Sequence, residues 1–513
     1  MVKAKINPIV ILSALVIIVS TFFASWFAIH GDIVFHTDIA RDFLLMEDVV
    51  RVKPLTLIGP RSGGIPGVFH GPAWTYFNVP AFIIGNGSPA VVGWFWVLLY
   101  LAGAYISYYV GSKMFSKNVG WVAAAITSAM SAFSVPSFFN PYGAVMLTPL
   151  FIYLIFKYIK SSKLFDLLLC LLTLGFVIQF QMAFGVPLLV LLLPLLIFVL
   201  FKNKKYSHIF ALLILLIPLS TFILFDLKHQ FLQTKSVMNY ISGKENIGKV
   251  EGSFSNTFKT RIDSMLSIGP NFLAQENMLV RNILLLIFLI AFYKTLRNKE
   301  LKNYKLFYFL FLYFYVGYWL MTVFYKGVMW SYYYWPFLGL IALVAATFGK
   351  LIDKKIIYPI LIALIVFNLY IGYKNGFKPA SYFGSDNSSW RFNESAADLI
   401  YRDAPSEFGY YIFTADQYGY PSRYAMNFVQ TNYKDKKAFP YEKKAVTYLL
   451  IYPSNNPTIS DGWWKNNKVK IDQKPEKVFT FKNSNFRIEK YVLSPEVVND
   501  KSDDTLIHDL IFR

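Results

Sequence analysis

The stretch FHTDIARDFLLMEDVVR, residues 35–51, holds the side chains best suited to chemistry. Asp38, Arg41 and Asp42 are spaced i, i+3 and i+4, so a helix puts them on one polar face. Ile39, Phe43, Met46 and Val50 then form the apolar stripe of that helix, and Thr37 is placed to cap its start. A carboxylate can act as general base when it lies within hydrogen-bond reach of the proton it removes. Asp38 is the expected base, Arg41 the group that orients it, and Asp42 the second carboxylate. The same spacing equally suits an interfacial amphipathic helix with a solvated acidic face.

Two further stretches carry cations. LIGPRSGGIPGVFHGPAWTYF, residues 57–77, is dense in Gly and Pro and therefore takes an irregular path. Irregular backbone close to a bilayer must line a polar cavity or pack against protein. The planar fork of Arg61 suits a phosphate, as it also suits a lipid headgroup or open solvent. His70 fits a structural hydrogen bond better than a direct phosphate contact. The segment 73–86 is too short to span and reads as a re-entrant or surface helix. FDLKHQFLQT, residues 225–234, brings Lys228 and His229, followed by Lys235, Lys244, Lys249, Lys259 and Arg261. These suit a phosphate or pyrophosphate, or a solvated loop. Other polar side chains, Asn140, Gln179, Gln181, Asp226 and Lys326 among them, gather at the outer ends of apolar runs. In the run 325–337, the aromatic side chains Tyr332 to Trp335 suit an interfacial belt.

The elements that must position these residues follow from composition. The chain has 513 residues, 55% of them hydrophobic and 16% charged, with a mean hydropathy of +0.43. A soluble protein carries roughly a quarter charged residues. A soluble enzyme and a disordered chain are excluded, and a polytopic membrane protein is expected. Eleven apolar runs approach the ~20 residues that cross a bilayer: 8–29, 89–111, 118–136, 143–159, 164–183, 184–201, 207–226, 278–294, 305–325, 328–349 and 356–373. Alternate connections are rich in basic residues, from Lys3 and Lys5 through Lys113, Lys157, Lys202, Lys294 and Lys350. That places the N-terminus in the cytoplasm and the C-terminus outside the plasma membrane. It also accounts for most of the net charge of +20, so nucleic acid is not an expected partner. The single cysteine, Cys170, rules out an intramolecular disulfide.

The expected domains are a transmembrane catalytic module over 1–373, with outer loops 30–88 and 227–277, and a soluble extracytoplasmic domain over 374–513. The tail has β-type runs at Tyr410–Thr414 and Val446–Tyr452, so an α/β or α+β fold is expected there. No Walker A loop, zinc-spaced His or Cys pair, Asp-x-Asp pair or Gly-x-Ser-x-Gly elbow is present. No cofactor and no metal are expected.

With these residues placed, the chain resembles the GT-C superfamily of integral-membrane glycosyltransferases, which includes the protein O-mannosyltransferases and the lipid A aminoarabinose transferases. Asp38, in His36-Thr37-Asp38-Ile39-Ala40-Arg41-Asp42, matches the first acid of the family's acidic pair. Ile39 stands at the second acid, which leaves Asp42 one turn later. FHGPAWTYF looks like the family's segment around a Lys-Pro, with His70-Gly71 in its place, so Arg61 or the Lys228–His229 pair takes the phosphate role. Asn140-Pro141 stands where some members have an Asp before a proline. SYYYWPF resembles the aromatic-proline run that begins a late span. The resemblance covers about 1–350. It implies a polyprenyl-phosphate sugar as donor and a glycan, lipid or protein acceptor. The reaction would be an inverting transfer on the outer face with Asp38 as general base. Arg41, Arg61, His70, Asn140, Gln181, Lys228 and His229 would bind substrate or phosphate. The lipid-linked sugar would be a substrate rather than a cofactor.

Three other classes compete; one, a purely structural or receptor protein, would leave the cluster Asp38, Arg41 and Asp42 without a purpose. A lipid or polysaccharide transporter predicts charged residues in mid-span and two similar halves, and the sequence has neither. A glycan polymerase, ligase or oligosaccharyltransferase predicts other motifs, such as Trp-Trp-Asp; here the order is Asp461-Gly462-Trp463-Trp464.

Overall fold

The computed structural model describes residues 7–244, 254–377, 388–414, 418–453, 460–482 and 484–506. Lys3, Lys5 and Lys249 lie outside the described residues. The helices run in order α1 (Pro8–Ile29), α2 (Thr37–Arg51), α3 (Ala73–Ile84), α4 (Pro89–Met114), α5 (Lys117–Ser131), α6 (Pro141–Ser161), α7 (Leu164–Phe180) and α8 (Met182–Asn203). They continue as α9 (Leu216–Lys228), α10 (Leu232–Ile241), α11 (Phe254–Ala274), α12 (Met278–Arg297), α13 (Lys302–Thr322), α14 (Leu338–Leu351) and α15 (Lys354–Gly372).

Among the described residues, 8 helices are long and apolar enough to cross a membrane: Pro8–Ile29, Pro89–Met114, Lys117–Ser137, Pro141–Ser161, Met182–Asn203, Tyr206–Lys228, Met278–Arg297 and Lys354–Gly376. Each coincides with one of the eleven expected runs. The other three runs also form helices but fall outside these 8. α7 stops after 17 residues at Gln181. α13 is diluted by tyrosines and by Lys302 and Lys305. The run 328–349 opens with short 3-10 turns at Ser331–Tyr333 and Trp335–Phe337 before α14 begins. The chain is a multi-pass, mainly α membrane protein with a small mixed sheet near its C-terminus.

The expected outer loop 227–277 holds two helices, α10 and α11. Asp226 begins the first of them. It accepts from the backbone N–H groups of Gln233 (2.8 Å) and Thr234 (3.2 Å) and from the Thr234 hydroxyl (2.6 Å). Those donors would otherwise be orphans of the helix start.

The chain divides into two compact units. The first comprises Met1–Ser25, Thr56–Phe77 and Trp96–Phe377; the second comprises Trp26–Leu55, Asn78–Phe95 and Lys378–Arg513. The expected division at 373/374 assigns only the tail to the outer domain, whereas the second unit also takes in α2. The reason is an aromatic core. Phe35 meets Trp390 at 5.0 Å and Tyr424 at 5.7 Å, and Phe43 meets Tyr424 at 5.2 Å and Phe82 at 6.1 Å. Separated rings of this kind bury large apolar areas together. The Tyr424 hydroxyl adds a bond to the Gly87 carbonyl at 2.5 Å.

The sheet of the second unit has strands β1 (Glu407–Phe413), β2 (Lys437–Pro440), β3 (Val446–Ile451), β4 (Lys477–Thr480) and β5 (Arg487–Val492) in the order β2-β1-β3-β5-β4. β1 is parallel to β2 and β3, and β5 is antiparallel to β3 and β4. A parallel pair needs a crossover, and the helix Tyr420–Gln430 makes the one between β1 and β2. The two apolar runs expected to be strands are β1 and β3, both buried along most of their length.

Candidate active site

In the second unit, α2 begins one residue after His36. The His36 imidazole Nδ1 accepts the N–H of Asp38 at 3.3 Å, so His36 is the cap and Thr37, the expected cap, is the first helical residue. Burial holds the His36 imidazole below its ordinary pKa, keeping its lone pair free to accept. No motif marks His36 in the sequence; only its place just before the helix start would have singled it out.

The i, i+3 spacing brings Arg41 onto Asp38. Its Nη1 donates to Asp38 Oδ1 at 2.6 Å, and its Nη2 and Nε donate to Asp42 Oδ1 at 3.0 and 3.3 Å. The environments of the two carboxylates differ. The Asp38 side chain is 43% exposed and that of Asp42 is 6% exposed. The Arg41 side chain is largely buried. Burial opposes its charge, but the Asp42 and Asp38 carboxylates outweigh burial and hold its pKa above the ordinary value. In this trio Asp38 offers the accessible oxygens and Asp42 is the inner anchor. The expected apolar stripe changes at its end: Val50 is exposed, while Leu44, Leu45 and Val49 are buried. α2 is enclosed around most of its circumference, not laid on a surface by one face.

In the first unit the polar residues do something different. The loop after Thr56 folds back on itself, with Gly59 N–H donating to His70 O (2.8 Å), His70 N–H to Pro60 O (2.9 Å) and Ser62 N–H to Val68 O (2.8 Å). Arg61 stands opposite Phe69 in this hairpin and is exposed; His70 is buried. Gly71 donates its N–H to Gln179 O at 3.0 Å, and a Cβ at Gly71 would collide with the Gln179 side chain. Gln179 in turn donates to Pro218 O and to the Thr221 hydroxyl (2.9 Å). Asn140 donates to Phe180 O at 2.8 Å, and Gln181 to Tyr332 O at 3.3 Å. Asn140 thus serves a carbonyl at the break between α7 and α8, where helix bonds are missing, while Gln179 and Gln181 reach carbonyls of α9 and of the turn Ser331–Tyr333.

Lys228 and His229 are exposed at the end of α9. His229 stacks on Phe225 (4.1 Å), which meets Phe69 edge-on at 5.5 Å. Arg261, expected as a loop cation, is on α11 and donates to the carbonyls of Thr322, Tyr325 and Gly327, each at 3.4 Å. It closes the C-terminal end of α13, a place that favours a cation.

The first unit also holds a cavity of about 290 Å³ between α8, α10, the end of α13 and the hairpin loop. Its wall is mainly apolar, with Val68, Val186 and Met321, and Tyr318, Tyr325 and Tyr333 add hydroxyl-bearing rings. A smaller cavity of about 140 Å³ among α11 to α14 is wholly apolar and could orient no sugar. Among the described residues, no group of three or more His, Cys, Asp or Glu is placed to hold a metal ion.

No family model matches the sequence, and no curated protein matches it. The fold has solved counterparts. ArnT from Cupriavidus metallidurans in the apo state superimposes with a TM-score of 0.59 at 9% identity, over 94% of this chain and 97% of that one. The same protein bound to undecaprenyl phosphate gives a TM-score of 0.60 at 9% identity, over 94% and 98%. An oligosaccharyltransferase of Archaeoglobus fulgidus gives 0.49 at 12% identity, over 83% of this chain and 62% of that one. This chain has the fold of ArnT.

Proposed function

We propose that the protein is a membrane glycosyltransferase that moves a sugar from a polyprenyl-phosphate donor to an acceptor hydroxyl. The observation that carries this reading is the Asp38–Arg41–Asp42 array, a half-exposed carboxylate fixed by a buried guanidinium that a second, buried carboxylate anchors. A fixed, accessible carboxylate is what proton removal from an alcohol needs. The apolar cavity with tyrosine hydroxyls in its wall supports a lipid-bearing substrate. A solved protein of the same fold holds undecaprenyl phosphate.

In this mechanism Asp38 takes the proton of the acceptor hydroxyl. The acceptor oxygen attacks the anomeric carbon on the face opposite the lipid phosphate, and the configuration inverts. The bond from the anomeric carbon to the phosphate oxygen breaks, and its electron pair leaves with the polyprenyl phosphate. Arg61 and the Lys228–His229 pair, exposed cations of the first unit, are the candidates for holding a phosphate. The His70 backbone closes the hairpin that carries Arg61, and Asn140 and Gln181 remain candidates for a substrate contact. The reaction takes place on the extracytoplasmic face of the cell membrane, with the N-terminus in the cytoplasm.

The test uses the full chain in lipid vesicles with a panel of polyprenyl-phosphate sugars and candidate acceptors, followed by mass spectrometry. Wild type should consume one donor and release polyprenyl phosphate, and Asp38→Asn should still bind that donor without consuming it. Turnover that survives in Asp38→Asn would remove Asp38 as the base. If no donor is bound or consumed, the transferase reading fails.

A further inference from the structure

α2 bears ionised groups at both ends. Its C-terminal end borders a cavity of about 600 Å³ within the second unit, opposite the helix Tyr420–Gln430 and the chain that follows it. From the geometry we infer that this cavity binds an acidic saccharide.

Three observations carry the inference. A sugar hydroxyl both donates and accepts, so its site must offer both kinds of group. Here Glu47 accepts, Arg423 and Lys434 donate, and the amides of Asn427 and Gln430 can do either. The amides are also fixed and only half used. Asn427 donates to Glu47 Oε2 at 2.8 Å, and its own carbonyl oxygen has no partner among the described residues. Gln430 Oε1 accepts the Tyr401 hydroxyl at 3.1 Å, and its amide nitrogen has no partner among the described residues. Finally, the lining holds four cations to two carboxylates; Glu47 is paired with Arg51 at 2.9 Å, and Lys436 donates to the carbonyls of Tyr401 (2.6 Å) and Ala404 (2.8 Å). The surplus positive charge selects a ligand with acidic groups.

Glu47 lies nine residues beyond Asp38, roughly 13 Å along the helix axis at ~1.5 Å per residue. A saccharide held at one end of α2 is a part of a substrate remote from the reacting centre, whose binding energy can fix the rest. Assigning it to the acceptor rests on the transferase reading. The binding of an acidic saccharide does not.

The experiment is calorimetric titration of the full chain in nanodiscs with tetragalacturonate, with maltotetraose as the neutral tetramer, and with inorganic phosphate. Tetragalacturonate should bind at least ~10-fold more tightly than maltotetraose. Lys434→Glu, at an exposed position, should weaken it by ~10-fold with unchanged thermal unfolding, and Gln430→Ala by ~10-fold with a small fall in thermal stability from the lost Tyr401 bond. Equal affinity for the two tetramers, or unchanged affinity in both variants, would overturn the inference. Full displacement by an equal concentration of phosphate would reduce the cavity to a simple anion site and would overturn it too. Asp38→Asn should leave this binding intact, so a failure of the transferase reading and a failure of this site are separately visible.

Discussion

The two units use polar side chains in opposite ways. In the first, amides, tyrosines and one arginine are directed at backbone carbonyls: Asn140 at Phe180, Gln181 at Tyr332, Tyr318 at Tyr333, Arg261 at the end of α13. In the second, charged groups are directed at one another: Arg41 at Asp38 and Asp42, Arg51 at Glu47, Lys490 at Asp403. The difference follows from the solvent. Where a chain crosses lipid, a broken helix must find donors for its carbonyls within the protein. Where it meets water, ions can be held in pairs that stay reachable, and reachable charge is what binding and proton transfer require. The contrast teaches that polarity at the end of a span is more often repair than chemistry.

Four changes would break or sharpen this contrast. The largest effect belongs to Asp38→Asn, which should lower turnover by ~10²–10⁴-fold, the range for a general base; a fall below tenfold in the vesicle assay would place Asp38 among the merely structural charges. Arg41→Gln should come next, costing the second unit ~3–5 kcal/mol, because it strands the buried Asp42 carboxylate. Chemical denaturation would read this, and an unchanged midpoint would mean that the ion pair does not hold α2.

Asp32 provides a sharper case, since it is a charged group of the second unit used as the first unit uses its amides. Its Oδ1 accepts the N–H groups of Ile33 (2.9 Å) and Arg391 (3.1 Å). Burial dominates and pushes its pKa up from 3.8 to about 6, the backbone donors and the Arg391 charge opposing. A carboxylate with a raised pKa in the folded state stabilises below its unfolded value of 3.8, and this contribution is lost as pH rises through about 6. The loss is on the order of 3 kcal/mol. Asp32→Asn keeps the acceptor and removes the titration, so wild type minus variant should show thermal stability falling between pH 4 and 7. His36, buried and with a lowered pKa, runs with the opposite sign and cancels in that difference. A flat difference would show that Asp32 stays ionised at all these pH values. The smallest effect is expected for Gln181→Ala, ~1 kcal/mol for one long bond to Tyr332 O. Loss of turnover in this variant with stability intact would contradict the repair role and make Gln181 a substrate contact.

Much of this was legible beforehand. Hydropathy locates a run for each of the 8 long apolar helices, because crossing lipid sets both length and composition. The i, i+3, i+4 spacing of Asp38, Arg41 and Asp42 places them together, since helix geometry alone decides it. α10 and α11 were not legible, because Gly, Lys and Ser in that stretch hide a helix whose partners are distant in sequence. Nor was the membership of Trp26–Leu55 in the second unit, which depends on Phe35 and Phe43 meeting rings from Trp390 and Tyr424. The use of Asn140 and Gln181 on carbonyls was hidden for the same reason: an amide's partner is a matter of tertiary structure.

The discontinuity of the second unit has a consequence for biogenesis. Phe43 emerges from the ribosome long before Tyr424, the ring it packs against. Roughly 380 residues separate them, which at ~5–20 residues per second is ~20–80 s of synthesis. Through that interval the aromatic core around α2 is incomplete. α2 is thus among the first pieces made and among the last to be fixed in place. A premature stop anywhere before Trp390 leaves it without the rings of Trp390 and Tyr424. Truncated chains of this protein should therefore be substrates for quality-control proteases even when every span has inserted.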